Sequence, residues 1–473
     1  MKKPYLPLNK TLFTVAVLLL ISFAMSCKKE STPKNPETPT DKITATYSVR
    51  KTDSTLFDND DIIINTVGDS VKITLPATTD VTKLIPDIKA DGAIITPKSG
   101  VRQDFSKPVT FTVTKGSITK TYIFSVRLDK LKNVVYFGGE DNNFYALNAK
   151  KGTVLWKYAS PGNFSYSTPT LVNGTIYTTN VDHNLYALNP LSGAVKWKFA
   201  TGSTTISSPV VANGTVYFGS DDHYVYAVDA VSGNLKWKYL TSQNVDSSPV
   251  AENGIVYIGS ADGYLYAFDG ATGSIKWMYY TGSLIVESSP VISNGVVFVG
   301  ARNGNLYAVN TANGQLKWSF STGGISMEHS RPIINNGVVY VASWYDIDND
   351  KKPGSLYAIK ESDGSQIWKG LNDQGFTSGP TYANGKLFIN SDDGNVYAVD
   401  AATGGAIWKK QIYANGAIPT VANGNVFPGG GGGRFFYALD ANTGNESWKF
   451  PLANSITTSK PLIIDENGTI AGY

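Results

Sequence analysis

The sequence holds one cysteine, Cys27, in 473 residues. No disulfide can therefore form within the chain, whichever compartment it occupies. The net charge is only +3, too small to imply a nucleic-acid partner. No apolar run reaches the ~20 residues of a membrane-spanning helix; Leu12–Ala24 is short for one. Phosphate-loop chemistry is missing as well. Gly429–Gly433 is an unbroken glycine run, but no Lys-Ser/Thr pair or helix pattern follows it, so a flexible hairpin tip is expected there. Residues 43–129 contain no tryptophan.

What is present is repetition. Tyr-Ala-aliphatic (once Tyr-Ala-Phe) recurs with its tyrosine at 145, 186, 226, 266, 307, 357, 397 and 437. A tryptophan follows eleven residues later each time, at 156, 197, 237, 277, 318, 368, 408 and 448, and a glycine precedes each tryptophan by four. The tryptophans are 40 or 41 residues apart except for one interval of 50, a period that means a repeat architecture. Within one period, Val225–Asp229 and Leu235–Tyr239 alternate large apolar with small or polar residues, the signature of strands. Asn213-Gly214 between two further apolar runs marks a hairpin. Four short antiparallel strands per period, A to D, predict an all-β chain with an eight-bladed β-propeller over 133–473. The repeated aromatics are expected to pack between blades.

Ala398-Val-Asp-Ala-Ala-Thr-Gly-Gly-Ala-Ile-Trp408 resembles the tryptophan-docking motif of the pyrroloquinoline-quinone-type propellers, and Ala267–Trp277 and Ala438–Trp448 match it equally well. Three copies carry Asn148, Asn189 or Asn310 in place of the aspartate, and the copy at Ala358 departs further with Lys360. The resemblance implies the fold and says little about activity.

Residues 1–26, with Lys2 and Lys3 before the apolar run, read as a secretory signal peptide. It ends Phe23-Ala-Met-Ser-Cys27, which resembles a bacterial lipoprotein cleavage box, so Cys27 is expected to be lipidated. Lys28 follows the cysteine where many inner-membrane lipoproteins carry aspartate; the resemblance implies an outer-membrane lipoprotein facing the periplasm or the cell surface. Cys27 and the Pro-rich, non-aliphatic stretch to residue 42 are expected to form a disordered tether. Residues 43–129 hold short strand patterns and predict a small immunoglobulin-like β-sandwich. Gly100–Val113 resembles a module of bacterial surface lipoproteins that usually serves as a spacer.

The propeller must close. Val134–Phe137 begins the repeats at strand B, and Ser459–Ile464 is a strand A without a following tryptophan. The C-terminal segment is expected to supply the missing inner strand, although Thr469–Tyr473 also has a strand B pattern that competes for the place of Val134–Phe137.

In a meander of this kind the A–B and C–D turns share one face, and here they are uniform. The B–C and D–A loops share the other face, and these vary, which is where binding usually resides. Three irregularities meet there over blades 4 to 6. Asp246, Glu287 and His329 occupy equivalent positions at the channel mouth on consecutive blades, with Arg331 beyond His329 and Arg302 in a nearby turn. Such a group suits a metal or acid–base work, or simply a hydrated polar rim. The B–C loop of blade 6 carries the one long insertion, beginning Ser343-Trp344-Tyr345. Its Asp346, Asp348 and Asp350 have the spacing of a calcium loop, but Lys351 and Tyr357 stand where an EF-hand needs glycine and glutamate. A full EF-hand is excluded; a looser calcium loop and a solvated acidic turn both remain. His183 and His223, beside Asp182 and Asp222, read as turn residues.

Two functions fit. The first is a monomeric, membrane-anchored, non-enzymatic scaffold whose varied face docks a partner protein or a glycan through Asp246, Glu287, Arg302, His329, Arg331, Trp344 and Tyr345. In this it resembles the propeller lipoprotein of the outer-membrane barrel-assembly machinery, with an added module. The second is a quinoprotein dehydrogenase using pyrroloquinoline quinone and calcium. That family stacks its quinone on adjacent cysteines, and no such pair exists here.

Overall fold

The computed structural model describes residues 45–50, 63–75, 79, 81–128, 131–327, 329–344, 354–372, 374–413, 416–431, 434–452 and 460–471. The signal segment, Cys27, the tether, Tyr345 and the Asp346–Asp350 loop lie outside the described residues.

The chain is all-β, with no α-helix among the described residues. In the first module, Thr46–Arg50 pairs with Ile85–Lys89, and a second sheet runs Ile63–Val67, Ser70–Leu75, Ile118–Leu128, Val109–Lys115, Ile94–Thr96. Ser70–Leu75 and Ile118–Leu128 are parallel. The alternation of Val71, Ile73 and Leu75 turns those side chains inward, where they meet Ile88, Phe111 and Phe124 in one core.

The rest is eight blades. Blade 3 is typical, with strands A (Val210–Ala212), B (Thr215–Gly219), C (Tyr224–Asp229) and D (Leu235–Leu240) pairing in that order. Strands B and C are buried on both faces, and D alternates exposed with half-buried residues. The A–B turns of blades 2 to 8 hold both Asn and Gly at positive φ, as Asn213 (48°) and Gly214 (69°) do. This is the conformation that a tight hairpin twist requires.

The repeated aromatics join neighbouring blades. Each of the eight tryptophans donates its indole N–H to a backbone carbonyl of the next blade at 2.8–3.3 Å. In blades 1 to 4 the strand B tyrosine donates to the same carbonyl, as Tyr217 and Trp237 both do to Gly270. The indole also lies on the next blade's motif glycine. A Cβ at any of these eight glycines would stand 2.5–2.8 Å from a ring atom. Glycine is therefore required twice, for its positive φ and for the indole. Five of the motif tyrosines, Tyr145, Tyr186, Tyr226, Tyr266 and Tyr397, instead bond within their own blade to an aspartate four residues earlier, as Tyr226 does to Asp222 at 2.6 Å.

A second hoop runs close to the axis. Ser207, Ser247 and Ser288 each donate to the carbonyl of the equivalent serine one blade on, at 2.8–3.0 Å. Each also accepts the amide of a strand B glycine in its own blade. One hydroxyl thus fixes two strands and two blades.

Closure resolves the competition at the C-terminal end. Leu462–Ile464 pairs with Val134–Gly138 as strand A of blade 1, and Trp448 of blade 8 donates to Ala149 of blade 1. Ile470–Ala471 does not displace Val134–Gly138; it pairs with the opposite, axial edge of Leu462–Ile464. The glycine run also differs from the expected free tip. Gly430–Gly431 pairs with Phe435–Phe436, so two of the five glycines continue strand B after a break at Pro428–Gly429.

Candidate functional site at the channel mouth

The D–A loops enter the axis just before each strand A, and their last residues line a cavity of about 280 Å³. Asp246, Glu287, His329 and Arg331 all face it, together with Tyr166, which is 45% exposed. Arg302 is exposed in its B–C turn and does not line the cavity, and Trp344 reaches it only through His329.

The mouth is a connected belt. His329 Nδ1 lies 3.0 Å from Glu287 Oε2. Its ring meets Trp344 edge-on at 4.6 Å. Trp344 donates its indole N–H to Asp392 at 2.7 Å, and the other oxygen of Asp392 accepts from Thr377 at 3.0 Å. Thr377 in turn accepts the Gly416 amide at 3.0 Å. Blades 5 to 8 are thereby tied together at the rim. The tryptophan outside the repeat series is a fixed element of this belt, held by a charge-assisted bond.

Asp246 has a different neighbour. Burial first, then the nearby carboxyl of Asp221 and the charge of Glu287, push its pKa up to about 8. One oxygen of each aspartate is buried without a partner, and a proton retained on Asp246 is what makes the pair compatible. Above pH ~4 the unfolded chain has lost this proton while the folded chain keeps it until about 8. Stability from this group therefore falls as pH rises through that window and levels off above it. Asp246→Asn, which keeps a donor toward Asp221, should remove that slope. Melting temperatures of both proteins from pH 4 to 9 check this; equal slopes would show that Asp246 does not hold the proton.

Asp221 and Asp392 belong to a ring that the sequence reading missed. They occupy the same place as Arg302 and Trp344, two residues after the end of strand B, and all four donate their backbone N–H to the carbonyl of a D–A loop residue. The signal was in the register: counting from strand B rather than from the tryptophan aligns Glu140, Asp221, Arg302, Trp344 and Asp392. His183 and His223 have positive φ of 68° and 71° in their turns, while Asp182 and Asp222 accept the motif tyrosines.

The family model described as "Outer membrane protein assembly factor BamB" matches residues 131–210, 182–348 and 352–471, and that described as "SGBP, N-terminal" matches 52–126. The structure of BamB from Moraxella catarrhalis superposes with a TM-score of 0.53 at 17% identity, covering 66% of this chain and 89% of that one. Quinohemoprotein alcohol dehydrogenase from Comamonas testosteroni gives 0.52 at 17% identity, covering 70% and 73%. Both show the fold alone. Among curated proteins, quinohemoprotein alcohol dehydrogenase ADH-IIG of Pseudomonas putida is 30% identical over 142 residues, 25% of this chain and 19% of its own. The lanthanide-dependent methanol dehydrogenase of Methylacidiphilum fumariolicum is 37% identical over 101 residues, 19% of this chain and 16% of its own. The chain thus spans less than a fifth of the length of these relatives. Across its propeller, where the matches together cover well over half of the sequence, the chain belongs to the BamB family of quinoprotein-like repeat propellers.

Proposed function

We propose that this chain is a non-enzymatic docking scaffold, tethered to the outer membrane through a lipid on Cys27, whose varied face holds a partner protein. The observation that carries this reading is the belt from Glu287 through His329, Trp344, Asp392 and Thr377 to Gly416. It fixes the loops of four blades in one arrangement before any partner arrives, so little entropy is lost on docking. Arg302 and Tyr166 stand exposed beside it, and Trp, Tyr and Arg are the residue types that carry binding energy in interfaces.

The residues at the mouth do not fit a quinone with its metal ion. No thiol lines the cavity, Asp246 is held toward its neutral acid by burial and the neighbouring Asp221, and Glu287 lies 3.0 Å from His329. Among the described residues no three His, Cys, Asp or Glu side chains are disposed to hold a metal ion. The Asp346–Asp350 loop as a calcium site remains a sequence proposal.

Partner capture from detergent-solubilised membranes tests the reading. Trp344→Ala with Arg302→Ala should reduce capture at least about tenfold, the loss of a hot spot. Lys317→Ala with Lys409→Ala, on outer strands, should leave it unchanged. Capture that survives the first pair in folded protein would move the site elsewhere. Cys27→Ser should release the chain from the membrane fraction while leaving capture in detergent intact.

A further inference from the structure

Blades 3 and 4 depart from the repeat at a position that packing between blades does not explain. Blades 1, 2, 5 and 7 carry asparagine two residues before the motif tyrosine, whereas blades 3 and 4 carry Tyr224 and Tyr264. In both blades this ring stands beside the motif tyrosine in one arrangement. The centroids of Tyr224 and Tyr226 are 5.7 Å apart at 46°, and those of Tyr264 and Tyr266 are 5.8 Å apart at 46°.

The residue opposite them on strand D is what differs. In blade 3 Lys238 pairs with Tyr226, and its ammonium lies 3.9 Å over the Tyr224 ring and 5.9 Å from that of Tyr226. In blade 4 the partner of Tyr266 is Met278, which is neutral and 52% exposed. A third ring is added there. Tyr280 pairs with Tyr264, meets it at 4.9 Å and 42°, and is 57% exposed; blade 3 has Leu240 in its place. Gly263 makes room for that ring: a Cβ there would stand 2.9 Å from Tyr280, and blade 3 carries His223 at the same turn position. Among the described residues no lysine or arginine lies over Tyr264, Tyr266 or Tyr280. Blade 4 thus has the rings of a cation site, and one more, without the cation that blade 3 supplies to itself.

The face of a tyrosine ring is electron-rich and attracts an ammonium group, and a polarizable thioether suits the wall of such a site. Asp262 adds negative charge beside the rings, accepting the Tyr266 hydroxyl at 2.8 Å and the Ser242 amide at 3.1 Å. Tyr264 begins strand C of blade 4 (Tyr264–Asp269) and Tyr280 ends its strand D (Ile275–Tyr280), so both lie at the varied face. The D–A loop that follows Tyr280 carries Leu284, whose carbonyl accepts the Arg302 amide at 3.0 Å. The rings therefore adjoin a residue already assigned to docking. We propose that blade 4 binds an alkylammonium group at Tyr264, Tyr266 and Tyr280, and that this group is a lysine side chain of the protein docked on the varied face; the second part rests on the docking reading.

Met278 is the reporter, since among the described residues the other methionine, Met327, is fully buried. The full chain, isotope-labelled at its methionine methyls, is titrated with Nα-acetyl-lysine amide and with the neutral form acetylated on the side chain as well. The Met278 methyl resonance should move with the cationic amide in the ~10 mM range of a small exposed site, and respond at least ~fivefold more weakly to the neutral one. Tyr264→Asn, the residue of blades 1, 2, 5 and 7, should abolish the response, and Tyr280→Leu, the residue of blade 3, should weaken it ~threefold. Met278→Lys gives blade 4 a cation of its own and should lower partner capture at least ~threefold. Ser319→Lys, the same exposed position on blade 5, where Asn305 replaces the extra ring, should leave capture unchanged. A Met278 methyl that moves equally with the neutral amide, stays fixed with both, or responds in Tyr264→Asn as in the wild type overturns the site. The titration contains no partner, so its failure overturns this site and not the docking reading. Capture by Met278→Lys equal to that of the wild type overturns the assignment to a partner's lysine.

Discussion

Gly273→Ala should destabilise the propeller by about 3 kcal/mol, against about 1 for Gly254→Ala, although both glycines have nearly the same backbone. Their φ values are +75° and +78°, so alanine is strained at either site by ~1 kcal/mol. Nothing lies within 4 Å of a Cβ at Gly254, whereas one at Gly273 meets Trp237 ring atoms at 2.7 and 2.8 Å. The indole must shift, at the ~1–3 kcal/mol of an overpacked site. Its 2.8 Å bond to the Gly270 carbonyl goes with it, worth about 1 kcal/mol. At about 2 cal/mol/K per residue, a propeller of some 340 residues shifts roughly 1.4 °C per kcal/mol. The two variants should therefore melt ~3 °C apart. In a Trp237→Ala background, itself about 3–5 kcal/mol less stable, the extra cost of Gly273→Ala should fall to that of Gly254→Ala. Equal melting of the two glycine variants in the wild-type background would show that the indole is not what fixes the motif glycine.

Ile463→Asp should cost more still. Ile463 is fully buried, pairs with Val135, and packs with Phe137, Phe427 and Phe436 where blades 8 and 1 meet. An unpaired carboxylate there costs at least ~3–5 kcal/mol, and it strikes the strand that completes blade 1. Without that strand, Val134–Gly138 becomes an open edge next to the axis. Limited proteolysis and thermal melting should show a ring that opens at blade 1, with early cleavage near residues 131–160. Ile470→Asp is the matched control: Ile470 lies on the axial edge of the same strand and is only half-buried, so it should cost ~1 kcal/mol or less. A reversed order would mean that the outer pairing, and not the axial one, is dispensable.

The blades were legible because their causes are local. Alternation, Asn-Gly turns and a fixed Tyr-to-Gly-to-Trp spacing encode strands and their order directly in the sequence. The tryptophans could be assigned to packing between blades for the same reason. Why glycine stands four residues before each of them was only half legible: the turn requires it locally, but the indole comes from the preceding blade. The axial side taken by Ile470–Ala471 was likewise hidden, since both edges of Leu462–Ile464 suit its pattern.

At the mouth, the one-per-blade register did bring Asp246, Glu287, His329 and Arg331 to a single cavity. Pairings across blades were not legible. The approach of Asp221 to Asp246, the grip of Asp392 on Trp344, and Lys460 sharing a cavity with Arg331 depend on how two loops from different blades meet. Trp344 read as a docking residue outside the repeat series; the structure makes it half-buried and hydrogen-bonded to Asp392, so only part of its ring remains for a partner.

The central claim is that the varied face, and not the uniform one, is the working surface. Photo-crosslinking from single positions on each face tests this most directly. Leu284 and Arg302 are exposed on the varied face, and Val231 and Ala402 on the uniform face. With the anchored chain in membranes, crosslinks to one partner from Leu284 and Arg302, and none from Val231 and Ala402, are the predicted result. Crosslinks confined to Val231 and Ala402 would contradict the account.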